Sequence, residues 1–526
     1  MSKQPPLEDV GHKERQGGLH VIILGSGGGP LESNTTSFLV RSVAQDWRKG
    51  SILAVDAGVH LSAIARLIDD AMPSPQFEPP SVLESGPFAG LSLPHRTATA
   101  NARHVASNLV DGILVTHAHL DHISGFVVNT AGPPGARPKK IAGLPSTIHA
   151  LKTHIFNNVI WPNLSDENNG AGLLTYLRLV DGGSPALGDG EGMGYTEVCE
   201  GLLVKIWSVS HGHCIEKHSH RGSVSSASAS FDRAPPNGEV GAAAAAASPL
   251  SHHVPPQATP RRQSLLGQAT GGGASPLAEA ERETYCVYDS SAYFILDAAQ
   301  STEVLMFGDV EPDSISLNPR NLHVWQEAAP KVAAGTLKAI FIECSYEDSQ
   351  RDDRLFGHLK PMFVMEELRS LAAEVGSARL RVQAEAAEAS EKGRKASPSA
   401  TRKRKRVSGD EEHGGPATRR ALQHAQEDYP ISPKTSVAGS TPNGLVTSGG
   451  ESSPPPDAPC RMSPPPEAVD AKQLAGLKVV IIHVKDRLTD DLDVGETIME
   501  QLLEHEKEAQ LGCEFFIAHS GQSFYF

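Results

Sequence analysis

A chain of 526 residues with a formal net charge of −15 at neutral pH lacks the basic excess that polyanion-binding surfaces need, which argues against nucleic acid as its partner. Its six cysteines, Cys199, Cys214, Cys286, Cys344, Cys460 and Cys513, form no CxxC pair and no regular framework, which excludes a disulfide scaffold and fits a reducing, cytoplasmic setting. The opening "MSKQPPLEDVGHKERQ" has no apolar core and no apolar run reaches spanning length, so neither a secretory signal nor a membrane segment is expected.

In chain order, residues 1–17 read as a disordered N-terminus. Then "HVIILG" reads as a buried strand that stops at Gly25. The "GSGGGP" that follows lacks the lysine of a phosphate-binding loop and leads into strand-like "LESNTTSFLV", so it reads as the tight turn of a first β-hairpin. The strand "ILAVD" stops at Asp56, and "LSAIARLIDD" from Leu61 has helical spacing. "GILVTHAHLDH" runs from Ile113 into His117, and "STIHALKTHIF" from Ser146 reads as a helix. "LLVKIWSVSH" runs into His211, "EVLMFGD" into Asp309 and "AIFIE" into Glu343. The helix "MFVMEELRSLAAE" starts at Met362, "KVVIIH" runs into His483, and "ETIMEQLLEHEKEAQ" from Glu496 reads as a last helix.

Two stretches break this rhythm. Residues 219–281 carry "SVSSASAS" and "GAAAAAAS", and residues 376–472 carry "TRKRKR", "SSPPPDAP" and "SPPPEAV". Both are poor in branched and aromatic apolar residues, so burial cannot offset chain entropy and both read as disordered insertions. The basic run 402–406 reads first as solvated charge, with a nuclear-import signal as the alternative. What remains, about 350 residues, suits one large or two small domains of layered α/β structure.

Every strand end but the first carries His, Asp or Glu beyond a buried run, and loops at strand ends are where scaffolds carry active sites. In "THAHLDH", His117 and His119 alternate with period two and point the same way, so both can reach one cation, while Asp121 and His122 can aim at a second. Imidazole with carboxylate is a borderline ligand set that suits Zn²⁺ best, with Mn²⁺, Fe or Co as alternatives. A cluster this dense is a poor surface turn, because protonated neighbours repel and buried neutral ones need partners. The candidates outnumber the four ligands of a closed structural zinc site and include no thiolate, which favours an open, reactive site over a purely structural metal.

HxHxDH is similar to the signature of the metallo-β-lactamase fold, and "THAHLDHISGFVVN" resembles more narrowly the class II 3′,5′-cyclic-nucleotide phosphodiesterases. The resemblance extends to "LGSGGGPLESNTTSFLV", "VSHG", "SSAYFILD", "MFGDVEPDS", "FIECSYEDSQ", "LFGHL" and "IIHVKD". It implies a single catalytic domain over residues 18–526, interrupted by the two insertions and folded as a four-layer αββα sandwich. Two divalent ions are implied: one on His117, His119 and His211, the other on Asp121, His122 and His483, with Asp309 between them. His213, His218 and His220 compete with His211 but run into the serine-rich tract, and His358 competes with His483 from a polar loop.

The reaction so implied opens a cyclic phosphodiester, cAMP with cGMP as a second substrate, to the 5′-nucleotide, and so lowers the intracellular cAMP signal. Two cations roughly 3.5–4 Å apart share a water, lower its pKa and hold the hydroxide in line with phosphorus. His358 would protonate the leaving 3′-oxygen, with Glu343 orienting and charging its imidazole; Asp121 joins them in the catalytic set as well as among the ligands. A capping or salt-bridged acid is the alternative for Glu343. Asp56 resembles a carboxylate that supports the metal histidines from behind, with a turn residue before Gly58 as its alternative. Other hydrolases on this scaffold, a tRNA 3′-processing endonuclease or a thioesterase or lactonase, are the competing activities. The resemblance leaves room for a homodimer.

Overall fold

The computed structural model of the chain describes residues 17–72, 78–130, 138–188, 193–217, 283–395, 472–490 and 493–526. The stretch 219–281, the basic run 402–406 and His218 and His220 lie outside these residues. The chain divides into two compact units, Met1–Val375 with Ala471–Phe526, and Gly376–Asp470.

In the first unit the apolar runs form two seven-stranded sheets. One runs in the order Ser523–Tyr525, Leu19–Gly25, Ser37–Ser42, Ile52–Ala57, Val110–Leu114, Lys139–Gly143, Leu174–Arg178. The other runs Glu514–Ile517, Lys478–Ile482, Leu337–Glu343, Thr302–Phe307, Glu283–Asp297, Leu202–Lys217, Thr196–Cys199. Alternation along each strand sets the layers. Leu19, Val21 and Ile23 pack in one apolar cluster with Tyr293, Ile295, Val304, Met306 and Phe341 of the other sheet. Ile22 and Leu24, one position out of phase, join a second cluster with Ile64, Leu67, Ile68 and Phe126 of the covering helices. On the other side the helix Asn321–Ala334 covers the second sheet, with Trp325 against Phe307 at 5.1 Å between ring centroids. The result is the expected αββα sandwich, and its middle layers are nearly continuous in Val, Ile and Leu because both faces are covered.

Parallel pairing gathers strand ends on one rim. Ile52–Ala57, Val110–Leu114 and Lys139–Gly143 run parallel, as do Thr302–Phe307, Leu337–Glu343 and Lys478–Ile482. Asp56, His117, Asp309, Glu343 and His483 therefore end up beside one another although hundreds of positions separate them.

Two expectations need correction. The "GSGGGP" segment is no tight turn: residues 26–36 form a longer connection with a 3₁₀ turn at Glu32–Asn34. Its glycines let the backbone lie on the second sheet, where the Gly28 N–H donates to the Val484 carbonyl at 3.1 Å. A Cβ on Gly28 would stand 2.5 Å from the His483 ring, so only glycine fits there. Second, the helix that starts at Pro361 continues to Lys395, well into the stretch from Gly376 that composition assigns to a non-folding insertion. "SARLRVQAEAAEASEK" is low in complexity but rich in Ala, Arg, Glu and Gln, all strong helix formers. Among the described residues no helix is long and apolar enough to cross a membrane, and Cys199, Cys344 and Cys513 are buried free thiols.

Candidate active site

The rim brings together all seven expected ligands. Ligand atoms of His117, His119, His211 and Asp309 lie within 4.8 Å of one another, as do those of Asp121, His122, Asp309 and His483. Asp309 is common to both sets, and its two oxygens divide between them. Oδ2 lies 3.5 Å from His117 Nε2 and 3.5 Å from His211 Nε2, while Oδ1 lies 3.2 Å from His122 Nε2 and 3.2 Å from His483 Nε2. Asp121 Oδ2 stands 3.2 Å from His483 Nε2. Local structure explains the placement. Asp309 follows the buried strand Thr302–Phe307, His211 sits in a bulge of Leu202–Lys217, and Asp121 and His122 occupy the first turn of the helix Leu120–Thr130. His213, the competitor of His211, pairs beyond the bulge with Val287 and belongs to neither set.

Behind the inward-facing Nε2 atoms, a second ring of partners fixes four of the five imidazoles, those of His117, His122, His211 and His483. His122 Nδ1 donates to Asp56 Oδ2 at 2.8 Å, and His211 Nδ1 to the Gly357 carbonyl at 2.8 Å. The Thr116 hydroxyl gives its proton to Asp56 Oδ2 at 2.8 Å, so it accepts from His117 Nδ1 at 3.1 Å. The Ser345 hydroxyl donates to Glu343 Oε2 at 2.7 Å and accepts from His483 Nδ1 at 3.0 Å. Each of these four rings thus has a proton acceptor at its outward Nδ1, which leaves Nε2 as the nitrogen that can offer a lone pair inward to a cation. Thr116, Ser345 and Gly357 escaped the sequence reading, since a lone hydroxyl or carbonyl carries no spacing signal. Asp56, the suspected support, also accepts from the Thr116 N–H at 2.9 Å. Asp56 (φ 51) and His483 (φ 60) adopt left-handed backbone, a strain that concentrates at functional sites.

Glu343 and His358 meet beside this cluster. His358 Nδ1 lies 3.0 and 3.1 Å from the two Glu343 oxygens, and the Val310 N–H donates to Oε1 at 2.8 Å. Both side chains are buried. Burial, aided by the Asp309 charge, pushes the Glu343 carboxyl up to about 7, and burial lowers His358 to about 4. The carboxylate expected to charge the imidazole is thus itself drawn toward protonation by its burial.

Elsewhere charge wins over burial. Burial favours a neutral Asp309, yet His122, His483 and His117 hold it well below the carboxylate range. Burial likewise favours a neutral His122, but Asp309 and Asp56 raise it well above the usual imidazole value. The carboxylates demand positive charge, and His117 Nε2 has no hydrogen-bond partner. Inward lone pairs, an orphaned nitrogen and a shared carboxylate are a donor set that fits divalent cations. A separate cavity of about 670 Å³, walled by His60, Arg103, Ile113, Phe126 and Lys139, lies toward the far end of the helix Leu120–Thr130 and contains none of these groups.

Comparison with known proteins agrees with this chemistry. A family described as cAMP phosphodiesterases class-II matches residues 19–228 and 268–384. A 3′,5′-cyclic-nucleotide phosphodiesterase of Schizosaccharomyces pombe is 28% identical over 354 residues, which cover 67% of this chain and 75% of its own. One of Candida albicans is 27% identical over 388 residues, covering 67% and 82%. In fold, the chain is similar to a crystal structure of unliganded yeast PDE1, with a TM-score of 0.54 at 18% identity over 97% of this chain and 100% of that one. The sandwich has the αββα architecture that the HxHxDH resemblance implies.

Proposed function

Because the chain belongs to the class II cAMP phosphodiesterases, we propose that it hydrolyses 3′,5′-cyclic AMP, and cyclic GMP as a second substrate, to the 5′-nucleoside monophosphate, lowering the cyclic-nucleotide signal in the cell. The observation that carries this is the division of Asp309, one oxygen toward His117 and His211 and the other toward His122 and His483. Such a carboxylate suits two ions, Zn²⁺ best for an imidazole-rich set: one on His117, His119 and His211, the other on Asp121, His122 and His483. Bound there, the ions would supply water activated at neutral pH and positive charge for the phosphoryl oxygens.

The chain's own residues do the rest. Asp56, Thr116, Ser345 and the Gly357 carbonyl keep four imidazoles aimed, so no reorganisation is needed as charge develops. Glu343 and His358 hold a proton between them. With Nδ1 against Glu343, His358 would meet substrate through Nε2, and an incoming phosphate anion favours moving the proton from the Glu343 carboxyl onto the imidazole. From there it can pass to the leaving 3′-oxygen.

The test is hydrolysis of cAMP, cGMP and a pre-tRNA by the purified chain, together with metal analysis. Both cyclic nucleotides should yield 5′-products, with two metals per chain. Asp309→Asn should lose both metals and activity together, whereas His358→Ala should lower kcat by roughly 10²–10⁴ with metal content intact. An enzyme that cleaves the RNA and leaves both cyclic nucleotides untouched would overturn the assignment.

A further inference from the structure

His117, His122, His211, Asp309, Glu343, His358 and His483 are buried, whereas His119 is exposed and the Asp121 side chain keeps 29% of its surface. The cluster therefore opens to solvent past His119 and Asp121. A cyclic nucleotide with its phosphate in the cluster has to send its base out through that opening.

An aromatic side chain stands there. The Tyr288 ring lies 6.2 Å from that of His119 at 66°, and the residue is 44% exposed. Tyr288 sits opposite the bulge that carries His211 and Gly212, where the register shifts between Ser210, paired with Asp289, and His213, paired with Val287. On the bulge rests a second segment. A Cβ on Gly357 would stand 2.6 Å from Gly212 N, and the preceding residue, Phe356, is 72% exposed. Its φ of 54 is a left-handed conformation that a bulky side chain rarely adopts. An exposed aromatic gains little from packing and, in this conformation, costs strain; such residues persist where the ring has a use.

We propose that Tyr288 and Phe356 are the aromatic walls that hold the purine of the substrate at the mouth of the cluster. The proposal rests on the cyclic-nucleotide reading above and extends it from the phosphate to the base. Stacking favours large π-faces and is tolerant of ring substituents, so these walls would separate purine from pyrimidine cyclic nucleotides more sharply than adenine from guanine.

The experiment uses the full-length chain and its variants Tyr288→Ala, Tyr288→Phe, Phe356→Gly and Phe356→Tyr. Substrates are cAMP, cGMP, cyclic CMP and the base-free 3′,5′-cyclic phosphate of methyl riboside. Phe356→Gly relieves the backbone strain, so the fold is expected to survive, and thermal unfolding verifies it. For Tyr288→Ala and Phe356→Gly, KM for cAMP should rise roughly ten- to hundredfold with kcat little changed. The preference for cAMP over the base-free ester should fall by the same factor, and Tyr288→Phe and Phe356→Tyr should retain it. Equal losses on the base-free ester, or an unaltered KM for cAMP, would overturn the proposal. A wild-type chain inert toward every cyclic nucleotide would remove the underlying reading and this proposal with it, and the wild-type arm alone tells these failures apart.

Discussion

Thr116 is wholly buried and its hydroxyl has a single proton to give. Donating it to Asp56 leaves the oxygen as acceptor for His117, so one side chain fixes the tautomer of His117 and completes the shell of a carboxylate. Thr116→Val keeps the shape and removes that link. Metal affinity, read by competition with a chromophoric chelator, is expected to fall roughly ten- to hundredfold. His60 offers a second test. Its imidazole is buried, Nδ1 has no hydrogen-bond partner, and burial, helped by the Lys139 charge, lowers its pKa to about 4 from 6.5. A folded-state value below the unfolded one means stability present above pH 6.5 and lost as pH falls toward 4. Urea denaturation at pH 7 and 4.5 should show the wild type losing roughly 2 kcal/mol more than His60→Gln. The histidines and aspartates that cluster on the rim were legible because His and Asp closing a buried strand are costly unless used. Thr116 and Ser345 were not, since hydroxyls are common at strand ends and only their neighbours in space give them a role.

The helix Leu120–Thr130 delivers Asp121 and His122, and its seating depends on Gly125. That residue's N–H donates to the Gly58 carbonyl at 2.8 Å, and a Cβ there would stand 2.7 Å from the Ala57 carbonyl and 2.8 Å from that of Gly58. Gly125→Ala must push the helix off the strand end, at about 1–3 kcal/mol. A lower urea midpoint and weaker metal binding should appear together; a normal midpoint with normal binding would show that the helix does not need this close approach. This helix is not among those the sequence announces, because its dense polar residues hide the helical spacing of Ile123, Phe126 and Val127. Asn321–Ala334 was missed for a related reason. Pro330 lies inside it, although Val324, Trp325, Ala328 and Val332 mark its buried face and Gly335 (φ 73) closes it. The amphipathic helix Leu61–Ala71, with neither a proline nor a dense polar run inside it, was plain. So were the central strands, whereas short edge strands such as Ser523–Tyr525 owe their pairing to the neighbour they meet and left no pattern.

Across the whole molecule, the two sheets share the site. His117, His119, Asp121, His122 and Asp56 come from the first sheet and its connections, and His211, Asp309, Glu343 and His483 from the second. Neither sheet alone holds a complete ligand set, so cations placed there would rivet one layer to the other. That convergence was legible only through the family resemblance, since strand-end residues show what is costly locally and not which ends meet. The pairing of Leu202–Lys217 with Glu283–Asp297 carries a last consequence. Its final register position sets Lys217 directly opposite Glu283, so the chain leaves and re-enters the sheet at neighbouring points, roughly 5 Å apart. Replacing residues 218–282 with Asn-Gly should leave cAMP turnover within about twofold, because such a dipeptide closes a hairpin unaided. The tip then behaves as a socket: a reporter, an affinity handle or a sensor module with adjacent termini can be plugged in there, and the catalytic rim would not register the change.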